Sequence, residues 1–253
     1  MNTNIRRVDV LGVGISAIDM AMACDEVTRW IDHREQQYVC VTGVHGVMES
    51  QRDPELLAIH NASGLTTPDG MPMVWAGRRA GADWMSRVYG PDLMLAILER
   101  AADRGWSSFL YGGNEGVADL LATRLCARFP RLKIAGTYSP PFRPLTPAED
   151  DDVVYRINQS GADIVWVGLS TPKQERWMAA HVGRLEAPAT IGVGAAFDFH
   201  AGLVSQAPLW MQERGLEWLY RVAKEPRRLW KRYLQNNPAF VAQVLRHPPR
   251  LRD

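Results

Sequence analysis

Short runs of apolar and β-branched residues recur at positions 8–13, 38–42, 107–111, 132–136, 164–168 and 190–193. Their length and their bounding by Gly, Pro and polar residues predict strands. Between most of them the apolar positions repeat with helical spacing, as in residues 18–31, 92–102, 116–129 and 149–157. Strands alternating with helices predict an α/β fold, a Rossmann-like, mostly parallel sheet flanked by helices. In such sheets ligands collect beyond the carboxyl ends of the strands, so the loops after those runs are the places to look for chemistry.

Past Gly202 the strand pattern gives way to helical spacing. Leu229, Trp230, Tyr233 and Leu234 fall at i, i+1, i+4 and i+5 and so share one side of a helix, which Arg227, Arg228, Lys231 and Arg232 border. Pro226 and Pro238 are expected to bracket it. The division this predicts is an α/β catalytic domain over residues 1–205 and a basic helical C-terminal appendage over 206–253. A basic amphipathic helix fits an anionic membrane surface, where each Lys or Arg contributes about 1 kcal/mol. It fits equally a helix docked on the chain's own core or on a neighbouring subunit of a homo-oligomer.

Charge sharpens that picture. The 253 residues carry a formal net charge of +1, but residues 213–253 hold ten Lys/Arg against four Asp/Glu, a formal +6, which leaves −5 on the remainder. The cationic end is therefore expected to meet an anion. The low overall charge argues against nucleic acid as that partner. No apolar run reaches the roughly 18–20 residues that span a bilayer, and the polar start lacks the layout of a secretory signal, so a cytoplasmic location is expected. Cys24, Cys40 and Cys126 form no CxxC and are expected to be reduced, buried core residues.

Several segments carry residue types that suit catalysis or binding. Asp69 lies in the turn Thr67-Pro68-Asp69-Gly70-Met71-Pro72, ahead of a helix predicted to begin near Pro72. A carboxylate fixed there either accepts a proton from a substrate hydroxyl or serves as a turn and helix-cap residue. Ser170-Thr171-Pro172-Lys173-Gln174-Glu175 follows a strand and reads as a helix start, with Thr171 as N-cap, Pro172 at N1 and Gln174 completing a capping box. Its free backbone N–H groups, with Lys173 alongside, also suit a phosphate or diphosphate.

Two further patterns have competing readings. Gly12-x-Gly14-x-x-Ala17 fits the dinucleotide fingerprint, with Asp32 and Glu35 near the ribose-binding position, and supports an NAD(P)-dependent oxidoreductase as the alternative function. A strand or turn is the simpler account of those glycines. Asp150-Asp151-Asp152 contains a DxD able to hold a divalent metal between diphosphate oxygens. It follows Thr146-Pro147-Ala148-Glu149, however, which predicts a capping box with the acids in a first helical turn.

Taken in order, Thr42, Asp69-Gly70-Met71-Pro72 with Val74-Trp75 and Arg78, Arg87-Val88-Tyr89-Gly90-Pro91-Asp92, Pro172-Lys173-Gln174-Glu175-Arg176-Trp177, Gly194 with Phe197-Asp198-Phe199, Ala207-Pro208-Trp210 and the tail from Glu217-Trp218 to Tyr233 resemble the WecG/TagA/CpsF family of bacterial glycosyltransferases, glycosyltransferase family 26. The resemblance covers nearly the whole chain.

The resemblance implies inverting transfer of a hexose or N-acetylhexosamine from a UDP-sugar to a polyprenyl-diphosphate-linked acceptor, in cell-surface polysaccharide synthesis at the inner face of the cytoplasmic membrane. It implies Asp69 as general base, Thr42, Arg87, Gln174 and Asp198 as pocket residues, and Arg221 and Arg228 as tail arginines that close over the diphosphate. It also implies a metal-independent reaction with no cofactor. One departure stands out: many relatives carry Thr-x-Asn where this chain has Thr42-Gly43-Val44. His45 then either orients a sugar hydroxyl or caps the next helix, and the donor sugar is left open.

Overall fold

The computed structural model describes residues 5–252. The chain begins with β1 (Arg7–Val10), β2 (Val13–Ser16), α1 (Met20–His33), β3 (Gln37–Thr42), α2 (Val44–Ser50), α3 (Pro54–Ala62), β4 (Leu65–Pro68) and α4 (Met71–Arg79). There follow α5 (Gly90–Arg104), β5 (Ser107–Gly112), α6 (Val117–Arg128), β6 (Lys133–Tyr138), α7 (Pro147–Gln159), β7 (Ile164–Gly168), α8 (Lys173–His181), β8 (Ala189–Gly192) and α9 (Ala196–His200). The last stretch holds α10 (Leu209–Glu213), α11 (Glu217–Lys224), α12 (Pro226–Arg246) and β9 (Arg250–Leu251). The strands form a six-stranded sheet in the order β4-β3-β8-β7-β5-β6 and a three-stranded sheet in the order β2-β1-β9. As predicted, the fold is α/β: β3 with β8, β8 with β7, β7 with β5 and β5 with β6 all pair in parallel.

The chain divides into two compact units. One comprises residues 23–40 and 90–205, the other residues 1–22, 41–89 and 206–253. In the first, the strand runs read from the sequence occur with small shifts of boundary. Val165, Trp166, Val167 and Ile191 are buried without remainder, as a parallel strand covered on both faces requires. Trp166 places its indole N–H 3.2 Å from Ser108 Oγ, so this fully buried tryptophan leaves no polar atom wanting. Helix α5 turns Leu93, Met94, Ile97, Leu98 and Ala101 inward at i, i+1, i+4, i+5 and i+8. The start of α7 is the capping box expected: Thr146 accepts from the Glu149 N–H, Glu149 accepts from the Thr146 N–H, and Pro147 stands at the first turn.

The second unit departs from the sequence reading in instructive ways. Residues 8–13 do not make one strand. The chain reverses at Leu11 and Gly12, with φ of 55° and 84°, and β1 pairs antiparallel with β2 from Val10↔Val13 to Arg7↔Ser16. Two successive positive φ angles are the geometry of a tight hairpin turn whose twist matches its strands. The Gly12-x-Gly14-x-x-Ala17 match is therefore a hairpin, not a strand leading into a helix, and the dinucleotide fingerprint is withdrawn: no helix N-terminus stands there to receive a pyrophosphate. Asp32 pairs with Arg104 and Glu35 with Arg29.

The tail is stitched into this same unit. Phe240 of α12 packs in one core cluster with Val8, Val10, Val13, Ile15, Val47, Met48, Met73 and Met85. Strand β9 extends the hairpin sheet, and the Arg252 guanidinium donates to Asp9 Oδ2 at 2.9 Å. Pro238 does not end the helix as expected but lies inside α12. Burial of Leu229 and Phe240 on either side of it offsets the roughly 3 kcal/mol that an interior proline costs. On the opposite side of α12, Trp230, Leu234, Val241 and Leu245 are exposed. Cys24 and Cys40 are buried as expected, whereas Cys126 is exposed. Among the described residues no helix is long and apolar enough to cross a membrane.

Candidate active site

Thr42 is the last residue of β3 and Asp69 follows β4 directly, so both stand at carboxyl ends of strands. The Asp69 N–H donates to Thr42 O at 3.0 Å, which ties the two strand ends together. The approach is tight: a Cβ on Gly43 would lie 2.6 Å from Asp69 O, so only glycine fits after Thr42. Gly70, with φ of 95°, then turns the chain into α4 and is itself the N-cap, with no side-chain cap bond. Asp69 is thus not the cap residue that its Asp-Gly sequence allows. Nor is His45 the cap of α2, a position Gly43 occupies; its Nδ1 lies 3.2 Å from Asn236 Nδ2 of α12.

Charge gathers around Asp69 within the same unit. The Arg87 guanidinium donates to Glu217 Oε2 at 2.7 Å and Gln212 Oε1 at 2.8 Å, and lies 3.9 Å over the Tyr89 ring. The Tyr89 hydroxyl donates to Glu217 Oε1 at 3.0 Å. Burial, helped by the negative charges of Glu217 and Asp69, pushes the Tyr89 phenol up, so it stays a donor. Burial acts to strip the Arg221 proton, but the fields of Tyr233, Glu217, Tyr89 and Asp69 outweigh it and raise its pKa. Arg221 is accordingly a fixed, partly buried cation in the field of Asp69. Thr42 Oγ1 and Arg87 Nε are buried with no hydrogen-bond partner among the described residues. Arg228 lies on α12, and its side chain is outside those described.

Gln174 and Asp198 belong to the other unit, on α8 after β7 and on α9 after β8, again beyond carboxyl ends of strands. The surrounding strand ends are kept bare by glycines. A Cβ on Gly112 would lie 2.6 Å from Gly168 O, one on Gly168 2.8 Å from the Phe197 ring, and one on Gly192 3.1 Å from Gln174 Nε2. The capping box expected at α8 is absent: its N-cap is Pro172, without a side-chain bond. Instead Thr171 Oγ1 and Gln174 Nε2 both donate to Glu175 Oε1, at 2.8 and 3.2 Å. Trp177 is sandwiched between Tyr111 and His181, with ring centroids 4.3 and 4.2 Å away.

The DxD acids are engaged elsewhere. Asp150 meets His181 and Arg184, Asp151 meets Arg184, and Asp152 meets Arg156. The residues that sequence reasoning passed over are Tyr89, Gln212 and Glu217, which hold Arg87, and of which Tyr89 and Glu217 also act on Arg221. Tyr89 and Glu217 stand inside the quoted Arg87-Val88-Tyr89 and Glu217-Trp218 segments, so the signal was adjacency to arginines already singled out.

Comparison with known proteins supplies a family. A family model described as "Glycosyl transferase WecG/TagA/CpsF family" matches residues 8–253. The chain is 29% identical over 229 residues to the N-acetylglucosaminyldiphosphoundecaprenol N-acetyl-beta-D-mannosaminyltransferase of Bacillus subtilis strain 168, covering 87% of this chain and 86% of that protein. It is 28% identical over 220 residues to the protein of the same name from Bacillus spizizenii, covering 87% and 83%. A Staphylococcus aureus protein of that name, from strain MW2, is 25% identical over 246 residues, covering 96% and 93%.

Proposed function

Because the chain belongs to the WecG/TagA/CpsF glycosyl transferase family, we propose that it moves an N-acetylhexosamine, of the mannosamine type, from a UDP-sugar to a polyprenyl-diphosphate-linked acceptor with inversion at the anomeric carbon. The observation that carries this reading is the presence, in one compact unit, of a strand-end carboxylate that is not the helix N-cap and a partly buried cationic arginine from the tail that feels its field.

In the proposed reaction Asp69 takes the proton from the acceptor hydroxyl as that oxygen attacks the anomeric carbon. Attack comes from the face opposite the departing UDP, so configuration inverts. The leaving diphosphate gains negative charge, which the Arg221 guanidinium is suited to meet because its neighbours hold it charged although it is largely withdrawn from water. Arg228 is assigned to the same task, and the reaction is assigned no metal. Thr42 and Arg87 line the Asp69 side of the chemistry, and Gln174 and Asp198 bind donor.

The acceptor class follows the printed names of the relatives, and α12 supports it. Its exposed stripe of Trp230, Leu234, Val241 and Leu245 is bordered by Arg227, Lys231 and Arg246, the arrangement of a helix lying on an anionic surface. An open apolar groove of about 520 Å3 runs from Trp218 and Tyr233 to Val241 and Leu245. We accordingly assign the protein to the inner face of the cytoplasmic membrane as a peripheral enzyme. The test is a screen of UDP-N-acetylmannosamine, UDP-N-acetylglucosamine and UDP-glucose against a prenyl-diphosphate-linked N-acetylglucosamine, with product read by mass. The expected result is one added N-acetylhexosamine. Turnover with no UDP-sugar, or with an acceptor lacking the diphosphate, overturns the reading.

A further inference from the structure

Glu175 has no part in the reaction as assigned, yet it is one of the most deeply buried acids in the chain, 1% exposed. An isolated carboxyl in such a place is costly unless something requires it. Its Oε1 accepts from Thr171 Oγ1 and from Gln174 Nε2, while its Oε2 has no partner among the described residues. Burial holds its carboxyl above the usual range, against the pull of Thr171 and Gln174.

The consequence falls on Gln174. An amide side chain offers a donor end and an acceptor end, and which end faces outward is set by what holds the other. Here the carboxyl takes the NH2 end. The opposite end, Gln174 Oε1, is buried and has no hydrogen-bond partner among the described residues. No side chain crowds it from Gly194, whose φ of 51° favours glycine and where a Cβ would lie 3.3 Å from Gln174 Oε1. A buried acceptor without a partner costs stability, and is retained where a ligand completes it.

We propose that Glu175 is a positioning residue that holds the NH2 end of the Gln174 amide and so leaves its oxygen as the end offered to a ligand, one presenting an N–H or O–H there: a hydroxyl or acetamido N–H of the UDP-sugar. The inference rests on the donor reading above and names what that reading leaves open, the polarity of the contact and the group that fixes it. Thr171 steadies the same carboxyl oxygen. With Glu175 gone, Gln174 is free to rotate its amide and to present NH2 groups to a donor that needs an acceptor.

The experiment is a double-mutant cycle on the full chain, with donor KM, kcat and melting temperature measured for Gln174→Ala, Glu175→Leu and the pair, and with Glu175→Gln alongside. Leucine fills the buried volume without the carboxyl and leaves the Thr171 and Gln174 donors without it, so a purely structural role predicts a lowered melting temperature with wild-type donor KM. The proposal predicts instead that Glu175→Leu raises donor KM about tenfold, the size expected when one buried hydrogen bond to ligand is lost, with a smaller effect on kcat. The double variant is no worse than Gln174→Ala alone, because the two act as one unit. Glu175→Gln, whose side-chain oxygen accepts the same two bonds, stays close to wild type. Wild-type KM for Glu175→Leu, or effects that multiply in the double variant, overturn the proposal. Should Glu175→Leu not fold, Glu175→Asp, which draws the carboxyl back by one methylene, takes its place in the cycle with the same two outcomes. A wild-type protein that binds no UDP-sugar overturns the donor reading and this inference together, whereas normal wild-type binding with silent Glu175 variants overturns the inference alone.

Discussion

Two helix starts in this chain look alike in sequence and end differently. At α7 and at α4 an acid stands close to a proline near the first turn, in Thr146-Pro147-Ala148-Glu149 and in Asp69-Gly70-Met71-Pro72. At α7 the cap is closed locally and the acids after it are all paired. Thr146 and Glu149 cap each other, Arg143 pairs with Glu149, and the following aspartates pair with Arg184, His181 and Arg156. At α4 the cap position is Gly70, whose φ of 95° is open to glycine and rare for other residues, so Asp69 stands one residue ahead of the cap. The field of Asp69 is felt instead by Tyr89 and by Arg221 of the tail. The same pairing of acid and proline thus puts one carboxylate into the cap at α7 and leaves the other one residue ahead of the cap at α4.

The largest test of that contrast is Asp69→Asn. It should lower transfer by about 10²–10⁴-fold while UDP-sugar binding, measured by calorimetry, is retained, since only the proton acceptor is lost. Full turnover in this variant would place the base elsewhere. Next comes Gly43→Ala, whose Cβ would stand 2.6 Å from Asp69 O. Backbone must yield there, so stability should fall by about 1–3 kcal/mol in a urea titration and activity with it. An alanine variant with wild-type kinetics would show that Asp69 tolerates displacement.

On the α7 side the effects should be smaller and confined to folding. Thr146→Ala removes one cap and should cost about 1 kcal/mol of stability with kcat/KM unchanged. The smallest effect is a pH dependence. Arg143 first, and then Thr146, lower the Glu149 carboxyl to about 2 from 4.5. A depressed folded-state pKa gives stability that is present above about 4.5 and lost as pH falls toward about 2. The melting temperature of Glu149→Gln should therefore change less across that window than that of the wild type. Parallel curves for the two proteins would remove Glu149 from the acid response.

How far the sequence was legible differs between the two units. Residues 38–42, 107–111 and 164–168 read as strands because buried parallel strands are continuous apolar runs, and the Thr146 box read as a helix start because its bonds are local. Strand β4, Leu65-Thr66-Thr67-Pro68, escaped because two threonines and a proline look like a loop; they are buried because Thr66 bonds Ser63 Oγ and His60 O, contacts no pattern encodes. The Gly12–Gly14 hairpin was legible as a glycine turn but not as to which turn, since the same spacing serves a dinucleotide loop. At the site, Asp69 and the tail arginines stood in recognisable segments, while the roles of Tyr89, Gln212 and Glu217 depended on who their neighbours are.

The sequence by itself determined the alternation of strands and helices, the positions of caps and the segregation of positive charge to one end, because each depends on spacing along the chain and on side-chain chemistry within a few residues. Only the tertiary structure decided that Asp69 is not a cap, that Arg87 is held by Glu217, and that Arg221 keeps its charge while partly withdrawn from water. Arg87 with Glu217, and Arg221 with Tyr89 and Asp69, are more than a hundred residues apart and are brought within hydrogen-bonding or Coulombic range, and the energy of such a contact depends on distance and burial, which no local pattern specifies.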